Sequence, residues 1–508
     1  MNDKKRYFIT GLLILIAISG PYLFAFQINS PGWVFGGFLV NPSDGHSYMA
    51  KMQQGFRGDW KFTLPYTAEP GEGAFLFLFY ILLGHVARIF GLSIIAVFHM
   101  ARFLGAIFLI SSIKKLVQEL FPKGDSRYYA FLIIVCGSGL GWLALMAGNF
   151  TSDFWVAEAF PFLSMYVNPH FTIGLSLMIL AVLAEGNEFI RSLILGLLIS
   201  IIQPFSIVIL FVTYLVMTIL DWTGSRKPGF SGLLQSRYLL QMVGLGVSGG
   251  MVLLYQYWSI LSDPVLSIWN SQNQTPPPDL VDFLVSFFPV LLLAIFGSKR
   301  AWQSDAGRVL VVWSITSIML LFLPWNLSRR FLTGLYIPLG GLSIFGLKYL
   351  IEKWGISFRF GIILFMILIV PTNIIIMISG IQAVKIRDQR IYYSIGLDEC
   401  FDWIRKNTQT DALIIADEKD GLLIPSATGR RVIYGHPFET VNAEKELDFV
   451  KKVYESSEYG TALIDLLLDR SVDYLLINTE TEKEIKNSDH MIPVCENSER
   501  ILLQLVEK

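Results

Sequence analysis

Charge is what this chain has least of. Only 16% of its 508 residues are Asp, Glu, Lys or Arg, against 53% hydrophobic, and the mean hydropathy is +0.53. That excludes an ordinary soluble globular protein. Cysteine is nearly missing as well, with three residues. Cys136 lies in an apolar run and Cys400 and Cys495 lie near the C-terminus, which excludes a disulfide framework. A bridge between the last two is open outside the cytosol, with free thiols the ordinary expectation. Nucleotide-binding loops are absent: Gly429 to His436 lacks the glycine spacing and lysine of a phosphate loop and the GxGxxG of a dinucleotide site. There is no internal repeat, and no low-complexity tract beyond Pro276, Pro277 and Pro278. The net charge of −1 points to no particular partner, and no nucleic acid is expected.

What is present is a series of long apolar runs, several sufficient to cross a hydrocarbon core of about 30 Å. Aromatic residues are abundant, as expected where rings sit at lipid–water interfaces. The first run, Phe8 to Phe26, follows Lys4, Lys5 and Arg6 and lacks a small-x-small cleavage site, so it reads as a retained anchor. The same three cations place the N-terminus in the cytoplasm. Further spans are expected at 94–113, 127–147, 170–184, 190–203, 204–220, 237–258, 280–297, 308–323, 331–350 and 359–382, giving about eleven. Residues 74–90, with His85 and Arg88, read instead as an interfacial or re-entrant helix.

Lys and Arg fall on one side of this frame. The cytoplasmic connections hold Lys114, Lys115, Lys123 and Arg127; Arg191; Arg226, Lys227 and Arg237; Lys299, Arg300 and Arg308; and Lys353 with Arg359. The outer connections 148–169 and 259–279 contain neither residue type. The alternative of one long helix kinked at Gln203-Pro204 would change the parity.

One polar stretch stands out. Residues 41–51 place Asp44, His46, Tyr48 and Lys51 early in a long first outer loop, about fifty residues from Gln27 to Gly73 and extending to residue 93 with the interfacial helix. If Ser43 or Asp44 caps a helix through Gly55, Asp44, Tyr48 and Lys51 share one face. Three other outer connections carry unusual polar residues: Asp153, Glu158, Asn168 and His170; Trp269, Asn270 and Asn273; and Trp325, Arg329 and Arg330. Asn273-Gln274-Thr275 also matches a glycosylation acceptor pattern, relevant only in a eukaryotic secretory setting.

Group transfer at a lipid interface needs a carboxylate to take a proton and cations for a departing phosphate. Asp44 fits the first role, and Arg329 with Arg330 fits the second. The plainer readings are a helix cap for Asp44 and headgroup snorkelling for the arginines. The arginines, however, stand on the side that positive-inside bias should have cleared. Glu158 reads as a second acid, or with His170 as a metal ligand, leaving a divalent metal open. His170 reads more simply as orienting the Asn168-Pro169 turn.

Beyond Val384 the composition changes. Helices are expected at 397–407, 443–456 and 461–470 and strands at 412–416, 431–434 and 474–477. This is a small α/β domain over residues 385–508, outside the membrane, following a transmembrane domain over 1–384.

The layout resembles the GT-C superfamily of integral-membrane glycosyltransferases, which includes protein O-mannosyltransferases, aminoarabinose transferases and oligosaccharyltransferase catalytic subunits. The residues that carry it are Asp44 and Tyr48 in the first outer loop, Gly58-Asp59-Trp60, Glu69-Pro70, the interfacial helix and Arg102. The resemblance covers residues 1–380 in architecture and is specific over 40–105. It implies a polytopic α-helical fold, a sugar donor on a polyprenyl phosphate drawn from among membrane lipids, an inverting hexosyl transfer and Asp44 as the acidic residue of the first loop. Asp44 is followed by Gly45 and His46 rather than by a second acid, a departure from the family's paired-acid pattern that leaves a metal requirement open.

The reading is therefore a glycosyltransferase in a bacterial plasma membrane, acting on a lipid, glycan or protein acceptor at the outer face. Asp44 and Glu158 would be the acids, Lys51, Arg329 and Arg330 the phosphate partners, and His46, Tyr48 and Trp269 the lining of the sugar and acceptor sites. A lipid or polysaccharide transporter is disfavoured by the near absence of Asp and Glu from the spans. A non-catalytic envelope scaffold is the remaining alternative.

Overall fold

The computed structural model describes residues 3–28, 31–183, 188–224, 229–455, 461–479 and 490–506. Arg226, Lys227, residue 184 and Ser456 of the expected elements lie outside that set. The chain divides into two compact units: one holds Met1–Leu23, His99–Leu254 and Thr275–Gln382, the other Phe24–Phe98, Tyr255–Gln274 and Ala383–Lys508.

The first unit is helical. Among the described residues four helices, Asp3–Gln27, Ile94–Leu120, Pro204–Thr223 and Leu239–Ser262, are long and apolar enough to cross a membrane. Two bent pairs raise that to six. Leu280–Phe287 and Val290–Ala301 meet at 71°, and Phe358–Ile369 and Pro371–Lys385 meet at 42°. Each break falls at a proline, Pro289 or Pro371, where the missing N–H and the ring interrupt a helix. The expected span 127–147 is likewise broken, into Asp125–Cys136 and Gly141–Met146, at Gly137, where the backbone becomes extended (φ −83°, ψ 158°). At Gln203 the backbone leaves helical geometry (φ −148°, ψ 77°), so Phe189–Ile202 and Pro204–Thr223 are separate helices rather than one kinked rod. Proline also starts helices here: Pro161, Pro169 and Pro204 each sit in the first turn, where no N–H is needed. Val290–Ala301 and Tyr336–Trp354 pack backbone to backbone. A Cβ added at Gly346 would fall on the carbonyl of Leu293, and one at Gly297 on that of Leu342.

The second unit begins with β1 (Trp33–Phe35), which pairs antiparallel with β2 (Tyr392–Ser394), so the residues flanking the Asp44 stretch and the start of the C-terminal segment share one ribbon. Next come the helix Pro42–Arg57, hereafter the Asp44 helix, and Leu78–Phe90, the expected interfacial helix. These two also touch through glycine: a Cβ at Gly55 would meet the Ile81 carbonyl, and one at Gly84 the Met52 carbonyl.

After residue 394 come β3 (Leu413–Ile415), β4 (Arg431–Val432), β5 (Tyr474–Asn478), β6 (Met491–Glu496) and β7 (Arg500–Leu505). They form one sheet in the order β4-β3-β5-β7-β6. β3 is parallel to β4 and β5, while β7 is antiparallel to β5 and β6. Alternating side chains enter two cores. Leu413, Ile415, Leu475 and Ile477 face Val450, Val453 and Ile464. Ile414, Val432 and Leu476 face Phe401, Ile404 and Ile424. Burial on both faces explains why the inner strands read as short apolar runs rather than alternating ones. The second core also takes Ala50 and Tyr66, and Pro65 accepts the Val432 N–H at 3.1 Å. The C-terminal sheet thus shares its unit with the first polar stretch.

Candidate functional site

The Asp44 helix starts two to three residues earlier than the sequence suggested. Pro42 takes the first helical position and Asn41 precedes it in left-handed geometry (φ 49°, ψ 58°), so neither Ser43 nor Asp44 is the cap. Asp44 lies in the first turn, where the helix dipole favours a negative charge. Its Oδ2 accepts a hydrogen bond from Asn41 Nδ2 at 2.5 Å, and its side chain keeps 43% of its exposure. His436 Nε2 stands 3.8 Å from Asp44 Oδ1.

One turn on, the helix becomes buried. His46 Nδ1 is 2.9 Å from Ser426 Oγ, and that hydroxyl already donates to the Leu423 carbonyl, so the imidazole is the donor. Burial, then the nearby His436, pushes the His46 pKa down to about 4. Tyr48 stacks on Tyr80 with ring centres 4.4 Å apart. Lys51 was expected to meet a phosphate; its ammonium is instead enclosed, donating to Ser47 at 2.6 Å and Glu439 at 2.8 Å. The Phe77 ring centre lies 4.5 Å from Nζ. Burial alone would raise the Glu439 pKa, but the Lys51 charge and the bonds from Lys51 and Ser47 bring it below the ordinary range. Trp269 is only 7% exposed and packs with Phe62, Leu64 and Leu266. It is a core residue rather than an open platform for a sugar.

The same unit contains a polar cavity of about 290 Å³ lined by Gln54, Arg57, Asp59, Thr63, Asp411 and Arg431 among others. Its arginines are engaged by the chain itself. Arg57 donates to the carbonyls of Gly429 and Thr410, and Arg431 to those of Ala68 and Asp411.

The remaining candidates belong to the helical unit. Glu158 Oε1 accepts from Arg330 Nη1 at 3.4 Å, with the carboxylate side chain 8% exposed and the guanidinium 35%. The Glu158 carbonyl accepts the Gly334 N–H at 2.8 Å, which ties the two segments together. Arg329 lies over the Trp155 ring at 4.7 Å. His170, in the first turn of Pro169–Val182, contacts Phe171 with ring centres 4.0 Å apart. Asp153 is fully buried and accepts bonds from Thr151, Thr372 and the Gly141 N–H. Arg102, one of the residues that carried the family resemblance, is a tether. It donates to the Ile18 and Met165 carbonyls and stacks on Tyr22 at 4.1 Å. Among the described residues, no three His, Cys, Asp or Glu side chains gather closely enough to hold a metal ion. Glu158 and His170 therefore belong to no such group, and Glu158 is paired with Arg330.

His436 and Glu439 escaped the sequence reading altogether. The available signal was the Gly435-His436-Pro437 turn directly after a short strand.

No protein-family model matches the chain, and no curated protein matches it either. Solved structures do. ArnT from Cupriavidus metallidurans bound to undecaprenyl phosphate is similar with a TM-score of 0.53, at 11% identity, over 98% of this chain and 97% of that one. The fold is that of the GT-C glycosyltransferases. A second GT-C structure is the oligosaccharyltransferase AglB from Archaeoglobus fulgidus in complex with an inhibitory peptide and a dolichol-phosphate. Its TM-score is 0.51 at 13% identity, over 95% of this chain and 70% of that one. An Archaeoglobus fulgidus oligosaccharyltransferase in the apo form gives 0.52 at 12% identity, over 94% and 70%. At such identities the GT-C likeness speaks for the fold, and residue roles must come from this chain's own geometry.

Proposed function

We propose that the protein is a membrane glycosyltransferase that moves a sugar from a polyprenyl-phosphate donor to a lipid, glycan or protein acceptor at the outer face of the membrane. The observation that carries this reading is the state of Asp44: a half-exposed carboxylate in the first turn of a helix, held by Asn41 and facing His436. In a GT-C fold such a group suits general-base work. The acceptor oxygen or nitrogen attacks the anomeric carbon as its proton passes to Asp44, and the bond from that carbon to the lipid phosphate breaks. The configuration at carbon inverts in a single displacement of this kind. Within the helical unit, Arg330 paired with Glu158, and Arg329 beside it, are suited to hold a lipid phosphate. Lys51 is given a structural role, because its charge is answered inside the unit by Glu439.

Two findings support the donor class and the side of action. ArnT was solved with undecaprenyl phosphate and AglB with a dolichol-phosphate, both polyprenyl phosphates. The connections 148–169 and 259–279 lack Lys and Arg, as expected on the outer side.

The test is transfer from a panel of polyprenyl-phosphate sugars to added acceptors, followed by mass spectrometry of the lipid. Losing one transition-state partner costs about 3 kcal/mol, so Asp44→Asn should reduce turnover by roughly a hundredfold. Near-wild-type turnover by Asp44→Asn at equal expression would remove the proposal's base.

A further inference from the structure

His436 sits in the loop between β4 and the helix Ala443–Glu455, and that loop is closed by its own hydrogen bonds. The His436 carbonyl accepts the Thr440 N–H at 2.9 Å, and Thr440 Oγ1 accepts the N–H groups of Gly435 and His436 at 3.4 and 3.3 Å. The imidazole is 2% exposed. Its Nδ1 lies 3.1 Å from the Phe438 N–H and 3.2 Å from the Glu439 N–H. Backbone N–H groups only donate, so Nδ1 carries a lone pair and the proton of the neutral ring must be on Nε2. That N–H is buried and makes no hydrogen bond of its own. A buried donor left unmade is unusual and calls for a reason. It faces Asp44 Oδ1 at 3.8 Å, just beyond bonding distance.

The two partners differ in freedom. His436 is fixed through Nδ1 and its enclosed ring, whereas the Asp44 side chain retains 43% exposure and takes the Asn41 bond on Oδ2, the oxygen away from His436. A small rotation of the carboxylate closes the gap.

We infer that His436 is a positioning residue for Asp44, its Nε2–H closing onto Oδ1 and so fixing the carboxylate with a lone pair turned to the acceptor's hydroxyl or amine. This rests on the reading of Asp44 as the base. The acceptor's proton goes to Asp44, and His436 keeps its own throughout. Three charged groups face the ring: Glu439 and Asp44 favour its protonation, and Lys51 opposes it. Burial outweighs them and holds the imidazole below its ordinary pKa, so the ring stays a neutral, singly protonated donor.

The experiment measures kcat and donor KM on the full-length protein in membranes for His436→Leu, His436→Gln, Asp44→Asn and the His436→Leu/Asp44→Asn pair. The glutamine keeps a side-chain N–H donor, and the leucine keeps bulk alone. Expected is a drop of about tenfold in kcat for His436→Leu, with donor KM within about twofold of wild type and His436→Gln recovering most of the loss. The double variant should be no slower than Asp44→Asn alone, because the histidine acts only through that carboxylate. Three results would overturn the inference. Wild-type kcat in His436→Leu is one, and equal losses in the leucine and glutamine variants, which mark a role in shaping the loop, are another. A double variant slower by the product of the single losses is the third. If Asp44→Asn itself keeps its activity, the base assignment has failed and this inference goes with it.

Discussion

The buried ion pair between Lys51 and Glu439 allows a sharp stability prediction. The two side chains are 1% and 12% exposed, with Nζ and Oε1 2.8 Å apart, and they join positions 388 residues apart in sequence. Lys51→Met preserves most of the side-chain volume and removes only the charge. Glu439 is then left ionised in the interior, with the Ser47 hydroxyl as its remaining donor. Breaking one side of a buried pair costs about 3–5 kcal/mol, because the orphaned charge keeps its desolvation penalty. For a folding unit of this size that lowers Tm by about 10 °C. Replacing both partners, Lys51→Met with Glu439→Gln, removes the orphaned charge and should recover more than half of the loss. The assay is intrinsic-fluorescence melting of the detergent-purified protein at one scan rate. The Glu439 pKa is depressed in the folded state, so the pair stabilises above the unfolded carboxyl pKa and its contribution disappears as pH falls through the folded value. Accordingly, the gap between wild type and Lys51→Met should narrow in acid. A Lys51→Met Tm within about 1 °C of wild type at neutral pH, or a double variant no better than the single, would refute the reasoning.

Acid should also loosen the second unit through His46, which is neutral when folded and whose pKa is pushed down to about 4. The unfolded chain gains this proton near pH 6.5, so stability is full above that pH and falls by about 3 kcal/mol as pH drops towards 4; His46→Asn should flatten the curve measured by denaturant unfolding against pH. Arg330→Met leaves Glu158 without the cation 3.4 Å away and should raise the KM for the lipid donor by about tenfold, read from initial rates of lipid turnover; an unchanged KM would detach Arg330 from the donor phosphate. The Cys400 and Cys495 sulfurs are 2.8 Å apart. In an oxidising outer compartment the two thiols should be found as a disulfide, so only Cys136 is alkylated in unfolded protein before reduction. Alkylation of all three without reductant would count against the outward placement of the second unit.

The local features were legible in the sequence because they depend on neighbours. The Asp44 helix, the separate helix over residues 78–90 and most elements after residue 394 announce themselves through periodicity, proline and glycine. The true helix start needed only more weight on Pro42, whose fixed φ favours the first helical position. The broken spans were marked by Pro289 and Pro371, but apolar length masked them. β6 and β7 were overlooked because Pro493 and partial burial blur the alternation that identifies a strand. The site was harder to see. Lys51 looks like a surface cation until Glu439 arrives from the other end of the chain, and His436 has no meaning without Asp44 beside it. A periodicity argument carries no information about such long-range pairings. Trp269 is a case of the same kind: it has the chemistry of a ligand contact and the environment of a core residue.

The glycine contact between the Asp44 helix and its neighbour constrains how this protein can diversify. With Gly55 against the Ile81 carbonyl and Gly84 against that of Met52, the helix is clamped at its C-terminal end and has no slack in rotation or slide. Asp44 lies at the opposite end, so its position in space follows from a fit made three turns away. Mutational drift around the N-terminal turn can then change the surroundings of Asp44 without moving its backbone. A single added methyl group at either glycine would shift Asp44 while leaving every residue around it intact. The placement of Asp44 and the make-up of its surroundings are thus set separately, at opposite ends of one helix.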